Sequence, residues 1–172
     1  MAVLFIDESK NPKYFLAATV IQEADVPRLR KVIRAEVRKG QRAIHFSKEE
    51  DSRRRELLSL FKRSGFQSYL FTSKQTQDLD ARFECFEQLI NAALAHGETR
   101  LVLERDDSVF KFDEKTLSSL IKQFDAKGRV GFEHMYRHEE PMLWVADAVV
   151  WCANRGGEWH QRSSGLITRN LS

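Results

Sequence analysis

The chain has 172 residues, 42% hydrophobic and 31% charged, with a net charge of +3. That length suits one domain spanning 1–172 with a core of its own, and the composition excludes a disordered or low-complexity polymer. No apolar run reaches the roughly 18 residues of a membrane span, residues 1–6 carry no basic leader, and Cys85 and Cys152 alone make neither a disulfide framework nor a zinc cage, so no membrane partner and a cytoplasmic location are expected.

VLFIDES (3–9) runs an apolar strand straight into two adjacent carboxylates, Asp7 and Glu8. ESKNPK (8–13) is a turn signal and YFLAATVI (14–21) is again apolar and β-rich, which predicts an antiparallel hairpin of two buried strands. Asp25 as cap and Pro27 in the first turn predict a helix that Gly40 stops, with Val26, Leu29, Val32, Ile33 and Val37 on one face. Its other side carries Arg28, Lys31, Arg34, Arg38 and Lys39. Such a face suits a polyanion such as DNA or RNA, although a solvated helix face would read the same way. AIHF (43–46) is a short extended piece. Ser47, with Glu50 three residues on, predicts a capping box opening a second helix, which carries Arg53, Arg54 and Arg55.

FQSYLFTS (66–73) predicts a third strand. Residues 78–97 predict a helix with Phe83, Phe86, Leu89, Ile90, Ala93 and Leu94 on its inner face. A strand over 99–107, a helix over 113–128, a strand over 129–137 and a last helix from Pro141 to about Arg155 follow. The tail from Gly156 carries no prediction. A hairpin followed by mixed α and β elements predicts an α/β protein that is not plainly doubly wound.

The last helix, PMLWVADAVVWCA (141–153), is apolar all round except at Asp147. A helix of that kind belongs in a core, and an ionised carboxylate there costs several kcal/mol unless it is paired or binds a metal. TRLVLE repeats the form of VLFID, an apolar strand delivering an acid, here Glu104. Asp106, two residues on, would share its face if the strand continued; Asp106 and Asp107 otherwise read as turn residues. Asp7, Glu104 and Asp147 on three separate elements form a reasonable ligand set for magnesium or manganese, which bind carboxylate oxygens. Glu8 either joins them or points away, because strand neighbours face opposite sides. Two such ions can activate water and hold the leaving oxygen in phosphodiester cleavage.

With these residues placed, the chain resembles the ribonuclease-H-like proteins of the domain-of-unknown-function family number 3800. The resemblance rests on FIDES (5–9) before an apolar second strand, IHFS (44–47) after the first helix, and EEPMLWVADAVVWCANR (139–155). It implies a ribonuclease-H-like fold, a mixed five-stranded sheet beginning with an antiparallel hairpin and flanked by helices. It implies metal positions at Asp7, Glu104 and Asp147. His45 matches the family's histidine and would position water or donate a proton. Ala43 departs from the pattern, standing where a glutamate often precedes that histidine.

His134 and His138 lie four apart, but in a strand and loop context that does not suit a zinc pair. Cys85 and Cys152 read as buried thiols, and Trp144 and Trp151 as core. The expectation is a metal-dependent nuclease with Asp7, Glu104, Asp147 and His45 as its catalytic groups. The alternative is a nucleic-acid-binding or regulatory module that keeps the fold and cuts nothing.

Overall fold

In the computed structural model, which describes residues 1–168, the β-rich runs form β1 (Ala2–Ser9), β2 (Phe15–Gln22), β3 (Gln67–Thr72), β4 (Thr99–Glu104) and β5 (Val130–Met135). They build one sheet in the order β3-β2-β1-β4-β5. β2 pairs antiparallel with both β1 and β3, while β4 lies parallel to β1 and β5 parallel to β4. A short turn can only return the chain antiparallel, whereas a parallel neighbour needs a crossover. Here α3 (Asp78–Leu94) and α4 (Phe110–Gln123) supply the crossovers before β4 and β5. The result is α/β, as the element order predicts, and is the mixed five-stranded sheet that the family resemblance implies.

Strand period 2 sends alternate residues to two different cores. Val3, Phe5 and Val102 pack with α1 (Val26–Arg34), α2 (Asp51–Arg63) and α5 (Met142–Arg155), joined by Trp159 of α6 (Glu158–Ser163). Leu4, Ile6, Leu101 and Leu103 pack with α3 and α4. Both faces of the sheet are covered, so β1 reads as a continuous apolar run instead of alternating. Every residue of α5 from Met142 to Val150 is buried except Asp147.

Several boundaries differ from the sequence expectation. α1 ends at Arg34, not near Gly40. Past Arg34 the backbone bonds tighten to Glu36 N to Ile33 O and Val37 N to Arg34 O, while Arg53 takes both the carboxylate and the carbonyl of Glu36. Asp25 makes no side-chain cap bond, because its carboxylate accepts from Arg28 instead. Ser47 opens no helix: residues 46–48 form a 3-10 turn and α2 starts at Asp51. The Phe46 N–H is already bound to Asp147, and Arg54 donates to the carbonyls of Phe46 and Ser47.

α4 starts at Phe110, three residues early, where Asp106 caps the Ser108 N–H and Val109 N closes on Asp106 O. It stops at Gln123 because Asp125 adopts a positive φ of 52°, a conformation Asp tolerates better than most residues. On α3, Phe83 is 41% exposed and Arg82 only 4%. The inner face is rotated from the expected one to bring that arginine inside.

Candidate functional site

The parallel β1–β4 register pairs Ile6 with Leu103, so the next residues, Asp7 and Glu104, stand side by side at the strands' carboxyl ends. Period 2 puts both on the α5 face, with Phe5 and Val102. β2 and β3 lie on one side of β1, and β4 and β5 on the other. β1 and β4 therefore flank a topological switch point, where open α/β sheets form ligand crevices beyond the carboxyl ends of their strands.

α5 crosses this end of the sheet and delivers Asp147. Asp147 Oδ2 accepts from the Phe46 N–H at 3.0 Å and pairs with Arg137 Nη1 at 2.9 Å. Arg137 Nη2 pairs with Glu104 Oε2 at 2.9 Å and Asp7 Oδ2 at 3.4 Å, and its Nε donates to Glu104 Oε1 at 3.1 Å. One guanidinium thus ties together acids from β1, β4 and α5. Arg137 follows β5, where its carbonyl accepts from Trp144 Nε1 at 2.8 Å. Sequence reasoning missed this residue. Its flanks, MYRHEE, carry no motif, and the role exists only through convergence of distant segments.

Burial, then the charges of Asp147 and Glu104, hold the Asp7 carboxyl well above the usual aspartate range, with Arg137 opposing them. Burial works to lower the Arg137 pKa, but Asp147, Asp7 and Glu104 outweigh it and raise the value. Three acids against one arginine leave an excess of negative charge. Because the folded pKa of Asp7 lies above its unfolded value, its ionisation costs stability, and stability falls as pH rises through that window. Asp7→Asn is therefore expected to raise the melting temperature in chelator at neutral pH. The gain should vanish in acid, where wild-type Asp7 is protonated; calorimetric scans across pH read this directly.

Among the described residues, no group of three or more His, Cys, Asp or Glu side chains is arranged to hold a metal ion. The donor set nevertheless suits a hard divalent cation in kind, since it offers carboxylate oxygens from three rigid elements. Its present arrangement is closed on Arg137.

Glu8 is not brought into this group. One residue after Asp7, it faces the α3 side and pairs with buried Arg82 and with Lys10 at 3.7 Å. Arg82 is also chelated by Asp113 at 2.6 and 2.7 Å, and His134 Nε2 lies 3.0 Å from Asp113 Oδ2. His134 therefore belongs to a buried polar network on the opposite face. Asp106 caps the Ser108 turn, because β4 ends at Glu104, which leaves Glu104 as the β4 acid of the site.

A cleft of about 570 Å³ opens beside the acids, lined by Arg42, His45, Lys48, Glu104, Arg105 and Arg137, among others. Exposed Tyr136 borders it and stacks on His138 at 5.9 Å and 13°. Burial, then Arg137 and Lys48, depress the His45 pKa. At neutral pH its imidazole is uncharged, which suits accepting a proton or orienting water and not donating one. Arg28, Lys31, Arg34, Arg38 and Lys39 are exposed as expected. Arg53, Arg54 and Arg55 are spent internally on Glu36, Asp51 and Glu158, and Arg54 stacks over Trp151 at 4.2 Å. No described helix is long and apolar enough to cross a membrane.

No family model matches the chain, and no curated protein matches it. Among solved structures, it is similar to ribonuclease HII in the PCNA–RNase HII complex from Archaeoglobus fulgidus. The TM-score is 0.57 at 17% identity, covering 94% of this chain and 75% of that one. Together with the strand order and the flanking helices, this likeness gives the chain a ribonuclease-H-like fold.

Proposed function

We propose that the protein is a metal-dependent nuclease in which Asp7, Glu104 and Asp147 hold magnesium or manganese. One observation carries the reading: acids from β1, β4 and α5 converge at the switch-point crevice of a ribonuclease-H-like fold, next to a cationic cleft. When bound, the metal supplies Lewis acidity at a phosphodiester. Arg42 and Lys48 attract the polyanion and fix its path along the cleft. Neutral His45, on the cleft wall, orients a water or takes up its proton. Tyr136 and His138 offer aromatic surface to an unpaired base.

The test is incubation of labelled single-stranded and duplex DNA and RNA, and an RNA–DNA hybrid, with Mg²⁺ or Mn²⁺. Cleavage of at least one substrate, stopped by chelator, is expected. Absence of cleavage from every substrate with either ion would reject the reading. One observation favours the alternative of a binding module that cuts nothing: Arg137 already satisfies the three carboxylates.

The cleft residues should matter more for binding than the far side of α1. Arg42→Ala and Lys48→Ala are each expected to weaken oligonucleotide binding across sequences and to lower the slope of log affinity on log salt by about 0.7–0.9. Arg28→Ala, whose guanidinium already faces Asp25 at 3.4 Å, should change the slope less. Fluorescence anisotropy at several salt concentrations measures all three.

A further inference from the structure

We infer that Arg137 is a built-in counter-cation that competes with divalent metal for Asp7, Glu104 and Asp147, so that metal loading requires its guanidinium to leave. This rests on the metal reading above and concerns how that site is controlled. The guanidinium touches all three carboxylates, at 3.4, 2.9 and 2.9 Å. A divalent ion placed among the same oxygens would meet a fixed positive charge within contact distance, so the two occupants exclude one another. Mutual exclusion is a negative coupling: each lowers the apparent affinity of the other by the same factor.

The surroundings allow the exchange. The backbone at this point is pinned, by Trp144 Nε1 on the Arg137 carbonyl at 2.8 Å and by Glu139 Oε2 on the Tyr136 N–H at 2.9 Å. The side chain is not enclosed. It borders both the 570 Å³ cleft and a smaller one of about 210 Å³ over Asp7, Glu8 and Glu104, so the guanidinium has space to enter without unfolding any element. Arginine suits the role because its planar fork reaches several carboxylates at once, which a lysine ammonium does less well. The larger cleft holds Arg42 and Lys48 beside Glu49, and an Arg105 already paired with Asp107 at 2.8 Å, so a released guanidinium gains little there unless an anion occupies it. A phosphate backbone in the cleft would therefore ease metal entry.

Mn²⁺ titrated calorimetrically into full-length wild type, Arg137→Ala and Arg137→Lys tests the competition, with melting curves in chelator and in Mn²⁺. Arg137→Ala is expected to bind Mn²⁺ about tenfold tighter than wild type or better, to melt lower in chelator, and to gain more from Mn²⁺. Arg137→Lys should fall between. If Arg137→Ala is unfolded in chelator, Mn²⁺ should refold it, as read by circular dichroism. Equal or weaker Mn²⁺ affinity in Arg137→Ala, with wild type binding, would overturn the competition and leave the metal site standing. No binding by wild type or by either variant would overturn both.

Discussion

Asp147→Asn is expected to reduce metal-dependent cleavage by about 10²–10³ while leaving the fold intact. The magnitude is that of removing a group that stabilises charge at a preorganised reacting centre. Asparagine keeps the shape and an acceptor oxygen for the Phe46 N–H, so the turn at 46–48 is retained. What goes is the negative charge that α5 brings to the crevice. The comparison requires steady-state cleavage in Mn²⁺ together with melting curves. A variant within about tenfold of wild type would make Asp147 a structural partner of Phe46 and Arg137, since even a supporting residue behind a metal ligand typically matters by 10–100-fold.

The second large effect lies on the other face of the sheet. Arg82→Met is expected to destabilise the protein by about 3–5 kcal/mol, because breaking a buried ion pair leaves its carboxylates uncompensated. Arg82 is 4% exposed, lies over Phe86 at 4.9 Å, and serves both Asp113 and Glu8. Each kcal/mol lost should lower the melting temperature by about 2–4 °C in a chain of this size.

The pH dependence fixes the sign. Burial pushes the Asp113 carboxyl up, but hydrogen bonds from Arg82 and His134 and their charges bring it below the ordinary aspartate range. Wild type therefore holds this stabilisation above the unfolded pKa and loses it as pH falls through the folded one. Without Arg82, burial dominates and the carboxyl shifts upward, so the variant loses stability as pH rises past the ordinary aspartate range. The gap between variant and wild type should narrow in acid, and thermal melts of both from acid to neutral pH read this. A constant gap would assign the loss to packing alone.

How far the sequence carried varied from residue to residue. The hairpin and α5 were legible because their burial leaves a local trace: unbroken apolar runs in β1 and β2, and a helix apolar on every side but one. Asp147 was legible for the same reason, since a lone acid in such a helix has few explanations. Arg82 and Arg137 were not, because a cation's role depends on which carboxylates the fold brings to it. Helical period alone allowed Phe83 to point inward. Half-buried Glu8 and buried Asp113 draw Arg82 inward and rotate α3 the other way.

Ser47 failed as a cap for a related reason. The site itself claims the backbone there, through Asp147 on Phe46 N and Arg54 on the next carbonyls. Glu8 and Asp7 were separable only by strand parity, which needs the paired register to say which face holds α5.

The most direct measurement is an anomalous difference map from crystals of the full chain grown with Mn²⁺. A peak coordinated by oxygens of Asp7, Glu104 and Asp147, with the Arg137 guanidinium drawn away from them, is the expected result. Manganese bound elsewhere, or no peak at this position while the three carboxylates stay closed on Arg137, would contradict a metal-dependent nuclease built on these acids.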